Sequence, residues 1–368
     1  MRLRAEQVGS LLRPPELLAA RAACAGGRLD PAALRAREDE AIRAAVARQR
    51  DIGLDILADG EMRRYSWLTG MADAVDGFLT DSVMLEWHGP GGGREQTTAK
   101  IVGGRLHKRE KLTQHEVPFM KALAGEQRSA SAFKVTIPAP SNFVPTGFRP
   151  GVTDRFYRNR DTLLADLVAI VRDEIEWLIA QGVTYIQLDA PFYSHYLDPE
   201  HRRAMKMSGT DPDAEFDAAI DGDNATFSGL SRPGVTMAVH ICRGNSRSRW
   251  YTEGGYDAIA QRLFERLDVD RFLLEYDTAR SGTFEPLRFV PRGKDVVLGL
   301  ITTKEPAIER ADDIRRRIDE AAKYMPLEHL ALSPQCGFAS IAAGNLLSMD
   351  DQWRKLQLVV DVARKTWS

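Results

Sequence analysis

A chain of 368 residues with 43% hydrophobic and 28% charged residues has material for a large core and lies outside the composition of disordered, collagen-like or disulfide-rich chains. Lys and Arg total 50 against 52 Asp and Glu, a formal net charge of -2 with no basic stripe, so nucleic acid is not an expected partner. No apolar run reaches the length of a bilayer span, the opening M-R-L-R-A-E-Q lacks an apolar signal core, and three cysteines are too few for a disulfide framework; the expectations are a cytoplasmic protein, no membrane partner and a small-molecule substrate.

In chain order, Glu6–Ser10 reads as a short strand, and Pro14-Pro15 opens an Ala- and Leu-rich helix. Asp30 is a plausible N-cap, with Pro31 at the first position of a second helix reaching about Arg50. A second strand, Gly53 to Asp59, ends in Asp59-Gly60-Glu61. From about residue 78 to 130 the alternation breaks: this stretch holds the Gly89–Gly93 cluster and a hairpin expected around Ile101–Leu106, and it reads as an insertion covering one face of the core. The cluster has no following Lys-Ser/Thr and no strand-to-helix context, so it is not a phosphate loop.

The rhythm then resumes with strands at Phe133–Pro138 and Thr184–Asp189, separated by a helix over Leu163–Ala180, and continues with strands around Ala238, Phe272–Tyr276, Asp295–Ile301 and His329–Ser333, with helices near Tyr256–Leu267, Ile308–Tyr324 and Asp351–Lys365. Eight strand candidates with helices between most of them predict a single catalytic (β/α)8 TIM barrel over residues 1–368, with the inserted hairpin and helical segment after the second strand. A doubly wound open sheet is the structural alternative.

In a barrel the reactive groups gather at the C-terminal ends of strands, where Ser10, Glu61, Asp189, His240, Cys242, Glu275 and Cys336 fall. His240 and Cys242, two residues apart, leave their strand on one face. Cys336, in a loop freed by Gly337, reaches toward Cys242, and the three make the Cys2His set of a catalytic Zn2+ site with Glu275 as a displaceable oxygen ligand. Cys24, in an Ala-rich helix without a nearby His, reads as a small apolar side chain. Glu61 and Asp189 either cap helices or, as a pair, hold a cationic amine. Tyr193, His195, Tyr196 and Trp67 read as pocket walls or as plain packing. Arg13, Arg243 and Asn245 suit an anionic substrate group, Arg13 equally a structural ion pair.

Six motifs taken together, V-G-S-L-L-R-P at Val8–Pro14, D-G-E at Asp59–Glu61, I-Q-L-D-A-P at Ile186–Pro191, H-I-C-R-G-N at His240–Asn245, L-E-Y-D at Leu274–Asp277 and S-P-Q-C-G-F at Ser333–Phe338, resemble the catalytic domain of cobalamin-independent methionine synthases and their short single-barrel relatives. The resemblance runs over nearly the whole chain. It implies zinc on His240, Cys242, Glu275 and Cys336, the acidic ligand yielding to an incoming thiol. It also implies homocysteine as that thiol, with Ser10, Glu61 and Asp189 on its amino-acid end, and methyl transfer giving methionine.

Two departures bear on the methyl donor. The family's N-terminal barrel has no counterpart in these residues, and Lys134–Ser141 lacks the tryptophan-containing stretch that packs a pterin. Folate, a corrinoid and an epoxide therefore stand open as carbon sources. The short-barrel group is also similar to zinc enzymes that alkylate other thiols, including epoxide-opening coenzyme M transferases. A related C–S lyase and a non-catalytic metal- or thiol-binding protein complete the alternatives. The number of chains that assemble is open, a homodimer included.

Overall fold

The computed structural model describes residues 3–126 and 132–367. Its strands are β1 (Ile56–Leu57), β2 (Val75–Trp87), β3 (Gly93–Lys108), β4 (Ala132–Pro138), β5 (Tyr185–Asp189), β6 (Thr236–Ile241), β7 (Arg271–Glu275), β8 (Asp295–Ile301) and β9 (Leu330–Pro334). Seven of them form one curled parallel sheet in the order β1-β4-β5-β6-β7-β8-β9, with helices along its outer face. The α/β class and the alternation of strands and helices expected from the sequence are both present.

Strand periodicity sorts the side chains. Along β5, Ile186 and Leu188 face outward into the large core shared with the helices, as do Met237, Val239 and Ile241 of β6 and Phe272 and Leu274 of β7. The opposite set, Ile56, Tyr185, Ala238, Leu273, Val297 and Ala331, forms a separate apolar layer on the concave side, which Val8 joins. Continuing each strand by two residues from that layer reaches Gln187, His240, Glu275, Gly299 and Ser333, and two more along β5 reach Asp189. The curl therefore points the chemistry-bearing positions at one shared space, above this buried layer.

Beneath the site the inner face carries buried charge. The Glu6 carboxylate accepts from Arg271 Nε (2.9 Å), Lys134 Nζ (3.2 Å) and Tyr185 Oη (3.0 Å), and Lys134 also donates to Gln187 Oε1 (2.8 Å). Breaking one member of such a buried set costs about 3–5 kcal/mol because it strands an uncompensated charge. Gln187 Nε2 in turn donates to Asp189 Oδ1 (2.7 Å), so this network ends on a residue of the site.

Three local expectations are revised. The Glu6–Ser10 strand is a single parallel bridge, Ala5 to Leu332 of β9, supported by Glu6 N–H donating to Leu332 O (3.1 Å) and Asp55 N–H donating to Ala5 O (2.9 Å) just before β1. β1 is far shorter than the expected Gly53–Asp59 strand: Gly60 and Glu61 take positive φ values of 71° and 55°, and Asp59 Oδ1 accepts from Glu61 N (2.9 Å), which turns the chain sharply. The hairpin is real but longer, β2 pairing with β3 from Val75 to Lys108, and its turn lies in the glycine cluster at 88–92 rather than at Gly103-Gly104. Gly89 and Gly91 have positive φ and close that turn, whereas Gly103 sits inside β3, where an added Cβ would meet Leu79 at 2.1 Å. Residues 127–130, the end of the expected inserted segment, lie outside the described residues.

Candidate metal centre and amine pocket

The structure brings His240, Cys242 and Cys336 together: one ligand atom from each lies within 4.8 Å of the others, and all three side chains are buried. β6 delivers the first two from its C-terminal end, and the loop after β9 delivers the third. That loop can come close only because residue 337 is glycine, since a Cβ there would sit 2.0 Å from Ser10 Oγ. Ser10 O in turn accepts from Phe338 N (2.8 Å), which ties the first loop to the last.

Neither ring nitrogen of His240 has a nitrogen or oxygen partner, and the Cys336 sulfur lies beside the ring. Burial works to lower the basicity of this imidazole, but the neighbouring Cys336 sulfur and the Asp189 and Glu275 carboxylates outweigh it and raise its pKa. The Cys336 thiol is pushed well above the usual range by its interaction with Cys242 and by burial. A buried imidazole whose nitrogens have no oxygen or nitrogen partner beside two thiols is a costly arrangement unless a cation draws on all three, and an imidazole with two sulfurs is a donor set that suits zinc. The residues fit the metal.

Glu275, the expected fourth ligand, is not part of that group. Its carboxylate is fully buried at the end of β7 and accepts from the side chain of Arg280 and from Arg243 N. These positive neighbours, with Lys304, outweigh burial and hold its pKa down.

Beside the cluster lies a pair of buried carboxylates. Asp189 is in register with His240 on the adjacent strand, and Glu61 follows the tight turn after β1. Burial pushes the pKa of both up, and for Glu61 the charge of Asp189 adds to the rise against the pull of Arg64. Glu61 Oε1 accepts from Thr136 Oγ1 (3.1 Å), while Glu61 Oε2 is buried without a partner. Thr136 is itself fixed by Arg64, whose guanidinium forms a two-point pair with Glu116 (2.6 and 2.8 Å). The positive φ of Glu61 is uncommon for a non-glycine residue, a local strain of the kind that collects at functional sites. It aims an acceptor with no internal use.

Other residues expected at the substrate are bonded within the scaffold. Arg13 donates to the carbonyls of Leu11, Ala339, Glu61 and Arg64, so it fixes the backbone of Glu61. Asn245 donates to Gly337 O (2.6 Å) and Ser340 Oγ (3.0 Å) and accepts from Lys304 and Asn345, bracing the loop after Cys242 against the loop after Cys336. Arg243 lies in the same loop, and its guanidinium bonds to Gly254 O and Glu275 O. Tyr193 Oη donates to Asp223 (2.8 Å). Cys24 sits apart, half-buried in the helix Pro15–Ala25.

Three contributors were missed from sequence. Thr136 occupies an inward position of β4 and Lys304 closely follows β8, so strand-end position was an available signal for both. Tyr251 gave none: burial, and then the charges of Cys242, Cys336 and Glu275, push its phenol well above the usual range, and it fits there because Gly244 lacks a Cβ that would stand 2.3 Å from its ring. Trp87 at the hairpin tip packs edge-on against Tyr251 with ring centroids 5.6 Å apart, and Glu95 pairs with Arg249 through two bonds of 2.7 and 2.9 Å. The hairpin thereby covers the loop that follows Cys242.

A curled parallel sheet with an imidazole, two thiols and two carboxylates converging at its strand ends defines a methionine synthase-like methyltransferase framework. The family described as "Cobalamin-independent synthase, Catalytic domain" matches residues 4–365, and the chain belongs to that family. It is 36% identical to Bacillus subtilis (strain 168) YxjH, named an uncharacterized protein, over 99% of this chain and 94% of that one. A methionine synthase of Pyrococcus abyssi (strain GE5 / Orsay) is 25% identical over 80% of this chain and 74% of its own length. Among solved structures, a Listeria monocytogenes protein provisionally named a vitamin-B12 independent methionine synthase superposes with a TM-score of 0.72 at 27% identity, covering 99% of this chain and 98% of that one. No helix among the described residues is long and apolar enough to cross a membrane.

Proposed function

We propose that the chain is a zinc-dependent thiol alkyltransferase that methylates homocysteine to methionine, with Zn2+ held by His240, Cys242 and Cys336 and with Glu275 as a fourth, exchangeable donor. The observation that carries this reading is the buried imidazole–dithiol group standing beside two buried carboxylates, one of them with an unused oxygen. Bound there, zinc supplies an acidified thiol, so that a poor nucleophile at neutral pH becomes a thiolate.

The chain's own residues do the rest. Glu61 Oε2 and Asp189 take the ammonium group of the substrate, Thr136 and Gln187 orient those carboxylates, and Ser10 lies against the amino-acid end. Tyr251 and the hairpin tip shield the sulfur from water. The thiolate sulfur forms its bond to the alkyl carbon as that carbon's bond to the donor breaks, and the donor leaves with the electron pair.

In this reading residues 1–368 are one catalytic domain, segment 4–8 is the first stave of a (β/α)8 barrel, and the hairpin is an insertion after the second. Support comes from the bridge of Ala5 to β9, the bond from Asp55 to Ala5, and the place of Val8 in the inner layer. The working location is the cytoplasm.

The donor is the open choice, and β4 with the turn after it, Lys134–Ser141, offers no tryptophan for a pterin. Purified, zinc-loaded chain is therefore supplied with homocysteine and, in parallel, methyl-tetrahydrofolate or a methyl-corrinoid, and with coenzyme M and an epoxide. Methionine formed in a zinc-dependent manner in one of the first two arms is expected. Turnover confined to the sulfonate thiol would transfer the assignment to the epoxide-opening alternative.

A further inference from the structure

Glu275 lies outside the His240, Cys242 and Cys336 group and is engaged by a specific partner. Arg280 approaches Glu275 Oε1 with both Nε (3.0 Å) and Nη2 (2.9 Å), and Arg243 N–H occupies Oε2 at 3.0 Å. An ionised carboxylate has about four acceptor positions, so about one is left for any further partner. Arg280 itself is fixed independently: Nη2 also donates to Asp277 Oδ1 (2.7 Å) and Oδ2 (2.9 Å), Nη1 donates to Thr278 Oγ1 (2.8 Å), and the guanidinium lies 4.8 Å from the centre of the Trp250 ring. The cation therefore keeps a partner whether or not Glu275 stays with it.

This matters for a ligand that must leave. A carboxylate released from a metal in a buried site would stand as an uncompensated charge, a large penalty opposing its departure. Arg280 removes that penalty by offering a prepared, charge-assisted seat. We propose that Arg280 is a positioning residue that competes with the metal for Glu275, so that this carboxylate gives way readily when a thiol enters. The proposal rests on the zinc site described above.

Chelator competition for zinc, together with absorption spectra of the cobalt(II)-substituted full chain titrated with homocysteine, separates the alternatives. With the competing seat gone, Arg280→Met is expected to hold zinc about tenfold more tightly and to bind homocysteine about tenfold more weakly, a shift of about 1.4 kcal/mol in each equilibrium. Arg280→Lys, which keeps the charge but not the two-point contact, is expected between wild type and Arg280→Met, and it carries the test if the methionine variant does not fold. In a Glu275→Gln background the Arg280→Met change should leave zinc affinity where it was.

A residue that merely orients Glu275 as a ligand gives the opposite sign, because loss of an outer-sphere partner costs about 10–100-fold in metal affinity. Weaker or unchanged zinc binding in Arg280→Met would therefore overturn the proposal while leaving the zinc site in place. A wild-type chain that binds no zinc would overturn both.

Discussion

Cys336→Ala is expected to lower zinc affinity by more than the roughly 100-fold that loss of an outer-sphere partner reaches, and to abolish thiol alkylation. His240 and Cys242 leave the same strand end on the same face, and two donors from one side cannot enclose a tetrahedral ion. Cys336 arrives from the loop after β9 and supplies the other side. Its loss also removes one of the two thiolate charges that would offset the metal, so the effect is larger than a cavity the size of a thiol would produce. Zinc per chain after dialysis against a chelator reads the outcome, and Cys24→Ala is the control, since Cys24 lies in the outer helix Pro15–Ala25. Equal zinc retention in both variants would remove Cys336 from the site.

The second large effect belongs to the carboxylate pair. Glu61→Gln and Asp189→Asn are each expected to weaken homocysteine binding by about 2–5 kcal/mol, the usual cost of truncating one partner of a buried charge pair, which is on the order of 30- to 5000-fold. Zinc content should not change. A thiol of the same length without the amino group should be insensitive to either substitution, which distinguishes ammonium recognition from a general loss of the fold.

The pH dependence has a fixed sign. Both carboxyls have raised pKa values from burial, so each takes up its proton earlier on acidification than an exposed carboxyl does, and the Michaelis constant for homocysteine should climb as pH falls through those values. In the free protein the same shifts act oppositely on folding. The unfolded chain ionises these groups first, so their contribution to stability declines as pH rises from the ordinary carboxyl range to the raised values. Full homocysteine affinity in both variants would remove the amine pocket.

Much of this was legible in the sequence because it depends on local periodicity. The two-residue spacing of His240 and Cys242, the apolar character of β5 through β7, and the cap at Asp30 are read from neighbours along the chain. What resisted reading depends on which donor wins a given acceptor in three dimensions. Glu275 reads as a metal ligand by its strand-end position, but nothing local shows that the turn after β7 folds Arg280 back onto it. Arg13 and Asn245 carry groups suited to an anion, but the nearby loops offer them carbonyls first. The hairpin turn was misplaced because Gly103-Gly104 and the Gly89–Gly93 cluster look alike as letters, and only cross-strand packing against Leu79 makes Gly103 a close-approach position. Tyr251 reaches the site through the freedom of Gly244, a contact with no periodic signature.

The central claim is that a substrate thiol becomes a ligand of a zinc ion held by His240, Cys242 and Cys336, and the direct measurement is zinc-edge X-ray absorption on the zinc-loaded chain before and after saturation with homocysteine. The account predicts a first shell with the two cysteine sulfurs that gains a third on addition of substrate, at the expense of an oxygen donor. A shell whose sulfur number does not change at saturating homocysteine would contradict it.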